Sequence, residues 1–528
     1  MPPKKKSTSK TTPATPVPAP VGGTPAKPVA SSGSAAPIRI RMYRQGLGDC
    51  FLVTFNPTGP APIHMLIDCG SLGASTTNVK LADVISDICA TTNNHLHLLI
   101  ATHEHKDHVI AFHDLQQQIK DSGLTVDNVW MAWTEDATDP LAKQLGKPGD
   151  LAMALTHAAT ALKNSDEKLD EGRSKQLGAA VLDVLGFAGD TALGAAKLAT
   201  TINDAMDFVR KGFADKGAKT TFHKPGEAPI EPAWLPGFRF YVLGPPHSEA
   251  QLQDTGEHGS AELYGFAAHL GTAAMAAAGV NLTDDAKEPG MPFDIRFRLQ
   301  ANDNLMKPAM RAYGNADYKW RRIDYDWLHS AADLALQLDN MTNNTSLALA
   351  IERIEDGKVF LFPADAQQGN WLSWHDPAMK WTVKAGQGTR EVTAVDLLNR
   401  TVFYKVGHHA SHNATAKAKG LELMQKTDEL IAFIPVDRAV ALKKSPPGSW
   451  RMPARPLYLR LLQQCQGRVL RSDIGWADDY DNIADVNQKQ VEDEFKDLAP
   501  KADWNAWRSS QAKVPLNQVQ KLYFEITL

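Results

Sequence analysis

The six residues His103-Glu104-His105-Lys106-Asp107-His108 constrain this chain more than any other stretch of it. Three imidazoles and a carboxylate crowd one short turn, and if that turn is buried the ionisable groups need a partner that offsets their desolvation. A divalent cation is such a partner, because imidazole nitrogen and carboxylate oxygen are donor types that zinc takes. In the frame H-x-H-x-D-H alternate side chains can be aimed at two adjacent ions, so His103, His105, Asp107 and His108 form a candidate ligand set. The same residues could instead make an exposed polar helix start with Asp107 as its N-cap. The metal reading demands a fold that holds a short loop rigidly at the end of regular structure.

The flanking sequence predicts such a fold. Ile38, Ile40 and Met42 alternate with Arg39, Arg41 and Tyr43, and further apolar runs occupy 50–55 and 64–67. Gly46-Leu47-Gly48-Asp49 and Asp68-Cys69-Gly70 punctuate these runs, a pattern of β-strands joined by tight turns. Helical spacing over 79–90 and an apolar run at 97–101 then put the histidines at the C-terminal end of a strand. A helix over 109–119 and a strand over 126–133 continue an α/β order through a first core segment, 38–134. Between 135 and 233 the texture turns to Ala, Leu, Lys and Asp, with helical spacing at 151–162 and 177–209, and reads as a helical insertion. Strand sequence resumes at 238–243, inside a core piece spanning 234–246, and 247–340 reads as a second insertion. Runs of strand length return at 346–351, 359–362, 401–406 and 430–434 within a second core segment, 341–480. The segment 481–528 reads as a helix followed by a final strand, in which Leu522, Phe524, Ile526 and Leu528 alternate with Tyr523, Glu525 and Thr527.

With 528 residues the chain can bury a full core, as one large domain with insertions or as two to three ordinary domains. A net charge of −4, with 43% hydrophobic and 22% charged residues, advertises neither a nucleic-acid nor a membrane surface. No stretch reaches the ~20 uninterrupted apolar residues of a membrane span, so no membrane association is expected. Cys50, Cys69, Cys89 and Cys465 make no C-x-x-C spacing, which argues against a disulfide framework or a thiolate metal site and for a reducing, cytoplasmic setting. Residues 1–37 are mostly Pro, Ala, Ser, Thr, Gly and Lys and are expected to stay outside the fold as a disordered tail. No apolar segment follows Lys4-Lys5-Lys6, so a secretory signal is not expected there.

Two later motifs also fall at strand ends: Phe362-Pro363-Ala364-Asp365-Ala366 and Lys405-Val406-Gly407-His408-His409-Ala410-Ser411-His412. With the turns at Gly46 to Asp49 and Leu66 to Gly70, the histidine run, Val242-Leu243-Gly244-Pro245-Pro246 and Asn343-Asn344-Thr345-Ser346, they make seven ordered pieces. Together these resemble the metallo-β-lactamase superfamily, most closely the branch typified by the metallo-domain of the ComEC DNA-uptake proteins. The resemblance covers about half of the chain and implies a four-layer αββα fold carrying the two partly helical insertions. It implies His103 and His105 on one metal, Asp107, His108 and His409 on the other, and Asp365 bridging. It also gives Asp68 the part of a partner that orients ligand side chains, with a plain turn former before Gly70 as the alternative, while Asp49 is a weaker candidate, divided between turn chemistry and active-site support. Many superfamily members carry another histidine on the first metal; His247 is the best-placed candidate, with an ordinary surface histidine as the alternative. Ala410 stands where glycine is usual, and Met452-Pro453 where related domains often carry His-Pro.

The expected chemistry is hydrolysis by a metal-bridging hydroxide on two zinc ions, with iron and manganese as open alternatives. In that scheme Asp107 belongs to the catalytic centre, His408 or His412 donates a proton to the leaving group, and Lys405 contacts an anion. His408 could equally just pack at the strand end. The expected substrate is a phosphoester or phosphodiester, small or part of a nucleic acid, by analogy with the branch it resembles. The alternatives are a lactone, thioester or β-lactam hydrolase, or a metal-retaining non-catalytic module whose insertions bind a partner protein.

Overall fold

The alternating run at the start of the chain forms β1 (Ile38–Tyr43), antiparallel to β2 (Phe51–Phe55) on one side and to β17 (Tyr523–Thr527) on the other. The computed structural model that shows this describes residues 36–145 except 57, 58 and 60; 195–254; 308; 339–476 except 444–449 and 451; 518–519; and 521–528. Beyond β2 the same sheet continues through β3 (Ile63–Ile67), β4 (His95–Ile100), β5 (Thr125–Ala132) and β6 (Lys219–His223), and β16 (Gln518–Val519) lies outside β17. Pairing is antiparallel from β1 to β3 and parallel from β3 to β6. A second sheet has the order β15 (Gly475–Trp476), β14 (Val469–Arg471), β13 (Ile431–Ile434), β12 (Thr401–Lys405), β9 (Val359–Phe362), β8 (Ala348–Arg353), β7 (Phe238–Gly244). A separate hairpin joins β10 (Lys380–Ala385) to β11 (Gly388–Thr393).

Side-chain alternation decides how these elements pack. One face of each sheet contributes to a shared core in which Phe51, Met65, Ile67 and Ile100 join Phe240, Ile351, Phe360 and Phe403. Aromatic edges lock it: Phe51 meets Phe362 at 6.1 Å between ring centres, and Trp130 meets Phe240 at 5.1 Å. The opposite face of the first sheet, with Leu52, Leu66 and Val129, packs on the helices Leu81–Thr92 and Ala195–Lys211. Val84, Ile85, Ile88 and Cys89 lie on one face of the first of these, the stripe that a helix period requires. The opposite face of the second sheet carries Tyr241, Leu361 and Tyr404 against the helices Gln368–Ser373, Ala394–Asn399 and Arg455–Gln464. The protein is thus of the mixed α/β class. Among the described residues no helix is long and apolar enough to cross a membrane.

Several elements differ from the sequence expectation. The stretch read as a helical insertion contributes Ala195–Lys211, whose Ile202, Ala205, Met206 and Val209 sit in the core of the first sheet, and then β6 at that sheet's edge. β6 escapes a hydrophobic-run search because it reads Lys-Thr-Thr-Phe-His and is only partly buried, as edge strands are. The helix expected over 109–119 is broken into Lys106–Val109, Ala111–Asp114 and Gln116–Asp121. The His108 carbonyl accepts from the Cys69 N–H, and the Ala111 N–H donates to the Cys69 carbonyl, so a strand-end turn competes for the helix's own backbone groups. The tail 1–35, the helical spacing at 151–162, most of the second insertion and the C-terminal helix lie outside the described residues.

Candidate metal centre

Every piece of the site hangs from the end of a strand. β4 ends at Ile100 and delivers the histidine run three residues later; β9 ends at Phe362 before Asp365; β12 ends at Lys405 before His408 and His409. The turn Gly46 to Asp49 after β1 and the turn Asp68 to Gly70 after β3 close on the same loop. There the Asp49 N–H donates to the Asp107 carbonyl at 2.9 Å and the Cys69 N–H to the His108 carbonyl at 2.7 Å. Two glycines allow this approach. A Cβ on Gly70 would stand 2.2 Å from the Asp107 carbonyl carbon, and one on Gly48 2.7 Å from the Asp107 oxygen.

The loop after β12 is bent by three successive left-handed residues, His408, His409 and Ala410, with φ of 44°, 51° and 62°. Such conformations are costly for residues with a Cβ and persist where surrounding bonds hold them. Here the His408 N–H donates to Asp365 Oδ1 at 2.7 Å and the Ala454 N–H to the Ala410 carbonyl at 2.7 Å. The bend turns His409 inward, where its Nε2 lies 2.8 Å from Asp107 Oδ2 and its Nδ1 2.6 Å from the Pro435 carbonyl.

His103, His105, Asp107, His108, Asp365 and His409 are all buried, and all but His105, which lies against His103, fall in groups that could hold an ion. His103, His108 and Asp365 offer ligand atoms all within 4.8 Å of one another, as do Asp107, Asp365 and His409, so Asp365 is common to two groups that could hold an ion. His103 Nε2 and His105 Nδ1 face each other at 3.1 Å. Asp68 takes His108 Nδ1 at 2.8 Å while accepting from the Thr102 N–H and hydroxyl, which leaves His108 Nε2 turned to Asp365 Oδ2 at 3.1 Å. Asp49 pairs with Lys405, and Lys405 also donates to Asp365 Oδ1 at 3.0 Å.

Three buried atoms test whether a cation fits. Asp107 Oδ1 has no hydrogen-bond partner, and His108 Nε2 and Asp365 Oδ2, though 3.1 Å apart, do not meet in hydrogen-bond geometry, whereas unsatisfied buried polar atoms are rare and costly. All three are donors that a divalent ion accepts. Charge points the same way for Asp107 and Asp365, whereas burial pushes the carboxyls of Asp49 and Asp339 up, Asp339 well above its usual range; Lys405 is paired with Asp49 and Asp365. Burial would raise the Asp365 carboxyl, but Lys405 and then His108 hold it well below the usual range. Burial acts against Asp107 too, and His108 and His409 outweigh it, keeping that group ionised. Burial alone would lower His108, yet Asp365, Asp49 and Asp107 push it well above the ordinary imidazole value. His103 is held well down by burial and the neighbouring His108, and His105 falls to about 4 chiefly through burial.

Two expected residues are placed elsewhere. His247 is exposed, stacks on Trp133 at 4.3 Å and puts its Nε2 3.1 Å from Asp139; it belongs to none of the groups that could hold a metal among the described residues. Asp139, anchored by Lys224, holds it by a hydrogen bond. His412 is exposed and also outside these groups. Lys405 is buried against two carboxylates, so it serves the site as an internal cation rather than as an anion contact. Asp339 was missed: it is buried, its Oδ1 has no hydrogen-bond partner, and it stands 3.7 Å from His105 Nε2. No spacing rule singles it out; the only signal is its nearness to Asn343-Asn344-Thr345-Ser346.

A further group, His95, His97 and Asp127, is partly exposed at the far end of β4. His97 Nδ1 accepts the His64 backbone N–H at 3.2 Å, so the ring's proton sits on Nε2 and blocks that lone pair. His95 Nε2 already faces both Asp127 oxygens at 3.0 Å, and the group reads as a surface hydrogen-bonded pair. No protein-family model matches the chain, and no curated protein matches it.

Proposed function

We propose that this protein is a zinc-dependent hydrolase of the metallo-β-lactamase fold, acting on a phosphoester or phosphodiester. The observation that carries the proposal is the sharing of Asp365 between two buried groups of candidate ligands. Two sheets sharing one core, each with helices on its outer face, agree with the αββα layering that such a fold requires. His103 and His108, with His105 beside them, would hold one ion, Asp107 and His409 the other, and Asp365 is common to both groups. When bound there, two zinc ions supply an activated water and offset negative charge that builds up on the attacked group. Lys405 and the His408 N–H fix Asp365 Oδ1 and thereby present Oδ2 to the ligand cluster. Asp68 fixes the ring of His108, so Nε2 stays turned to the ligand cluster beside Asp365 Oδ2. Burial lowers His408 to about 4, leaving it neutral at pH 7 and suited to hydrogen bonding rather than to storing a proton for the leaving group. A cytoplasmic setting belongs to the same proposal and is supported by four free, buried cysteines.

The test is metal analysis of the purified full chain, followed by chromogenic phosphodiester, phosphomonoester, lactone and β-lactam substrates before and after chelation. About two zinc ions per chain and a chelator-sensitive phosphodiesterase rate are expected. Iron in their place would overturn the zinc assignment. Turnover confined to the lactone or β-lactam would overturn the substrate assignment, and full metal loading with no turnover would leave a metal-retaining interaction module.

A further inference from the structure

Each histidine that would bind a metal has a second ring nitrogen, and what that nitrogen touches sets the tautomer and the aim of the first. His108 gives its Nδ1 to Asp68 at 2.8 Å, and His409 gives its Nδ1 to the Pro435 carbonyl at 2.6 Å. His103 puts its Nδ1 3.1 Å from the Thr102 hydroxyl, whose own proton goes to Asp68. In all three the ring is held from behind by an oxygen acceptor. His105 is reversed: its Nδ1 faces His103 Nε2 at 3.1 Å, so Nε2 is the rear nitrogen. Behind the ring stands Asp339 Oδ1, 3.7 Å from Nε2, and the Asn343 side chain, which anchors Asp339, also hydrogen-bonds His105.

Asp339 has the marks of a group placed for this. Only 7% of its surface is exposed, and Oδ1 lacks any hydrogen-bond partner. The other oxygen, Oδ2, is anchored by the Asn343 side-chain amide at 3.3 Å, which leaves Oδ1 turned to the ring. A shift of roughly 0.5 to 1 Å would bring Oδ1 within hydrogen-bonding distance of His105 Nε2.

We infer that Asp339 is a positioning residue that accepts the His105 Nε2–H and so aims the Nδ1 lone pair at the first metal. This role presupposes the two-metal reading of the site. It assigns a task within the ligand set to the chain segment just before β8, while His247 stays paired with Asp139.

The experiment titrates zinc into chelator-stripped full-length protein, with a chromogenic chelator as competitor, for wild type, Asp339→Ala and Asp339→Asn. Imidazole 15N spectra, assigned with His105→Gln, report which His105 nitrogen carries the proton. Wild type is expected to take two ions, and Asp339→Ala to bind one of them about 10- to 100-fold more weakly while the other is unchanged. Asp339→Asn keeps the shape and an acceptor oxygen, so it should recover part of the affinity and still fold if the alanine variant does not. In the substituted proteins the His105 Nε2–H tautomer should give way to exchange between both forms. Wild-type affinity at both sites in a folded variant overturns the assignment but leaves the two-metal reading standing. Weakened binding with an unchanged His105 tautomer also overturns it, making Asp339 a ligand instead. A wild-type protein that takes no zinc removes the two-metal reading itself.

Discussion

Asp365 carries two tasks on its two oxygens, Oδ1 toward Lys405 and the His408 N–H, Oδ2 toward His108. Asp365→Asn keeps the size but removes the charge that Lys405 and His108 both face. Zinc stoichiometry should fall below that of wild type and hydrolysis should be lost with it. Stability should drop by roughly 1 to 3 kcal/mol, because a charged hydrogen bond is lost inside the protein. Metal analysis and calorimetry on the stripped proteins read these effects; full zinc occupancy with undiminished turnover would remove Asp365 from the centre. Much at this scale was legible in the sequence. The spacing of His103 to His108 is itself a ligand pattern, and Asp365 and His409 each follow a short apolar run. His247 was misplaced because proximity to Gly244-Pro245-Pro246 says nothing about direction, and direction sends its ring to Asp139. Asp339 could not be found from spacing, since its partner His105 is more than two hundred residues earlier in the chain.

Turns and strands do the positioning, and the tightest contact among them is Gly70 against the backbone of Asp107 and His108. Gly70→Ala would put a Cβ 2.2 Å from the Asp107 carbonyl carbon and 2.4 Å from the His108 nitrogen, and backbone cannot yield as a flexible side-chain tip does. The motif loop must move, so zinc binding should weaken at least tenfold, and overpacking should cost about 1 to 3 kcal/mol. Chelator competition and thermal melting check both; an unchanged zinc affinity would show that the loop is not held from this side. The sequence shows Gly46 to Asp49 and Asp68 to Gly70 as turns, since glycine and aspartate favour them. That both turns grip the histidine loop is a tertiary fact that no local pattern encodes. Local reading likewise finds the apolar strands β9 and β13 and passes over β6, whose polar sequence suits an exposed edge.

At the scale of the whole molecule, the two ends of the described fold meet in one sheet, because β17 pairs with β1 across the full register from Arg39 opposite Thr527 to Tyr43 opposite Tyr523. Alternation of Leu522, Phe524, Ile526 and Leu528 made the strand legible, but not its partner. Buried Arg41 donates from Nε to Glu525 at 2.8 Å and from Nη1 to Asp87 at 2.5 Å, so it ties β17, β1 and the helix Leu81–Thr92 together. Phe524 and Ile526 fill the core between the sheets, and Tyr523 the core on the outer face. Removing residues 522–528 forfeits these three side chains, about 1.5 to 3 kcal/mol each, and strips Arg41 of Glu525, leaving it with Asp87 and Thr91. The sum approaches the whole stability of an ordinary domain, about 5 to 15 kcal/mol. A chain ending at Lys521 should therefore lose its cooperative thermal transition. It should lose zinc binding as well, because β1 and β2 support the turn that brings Asp49 to the motif loop. Circular dichroism melting and zinc titration of the shortened chain test this directly. A transition within a few degrees of wild type, with both ions still bound, would mean that β1 holds its place in the sheet through β2 alone.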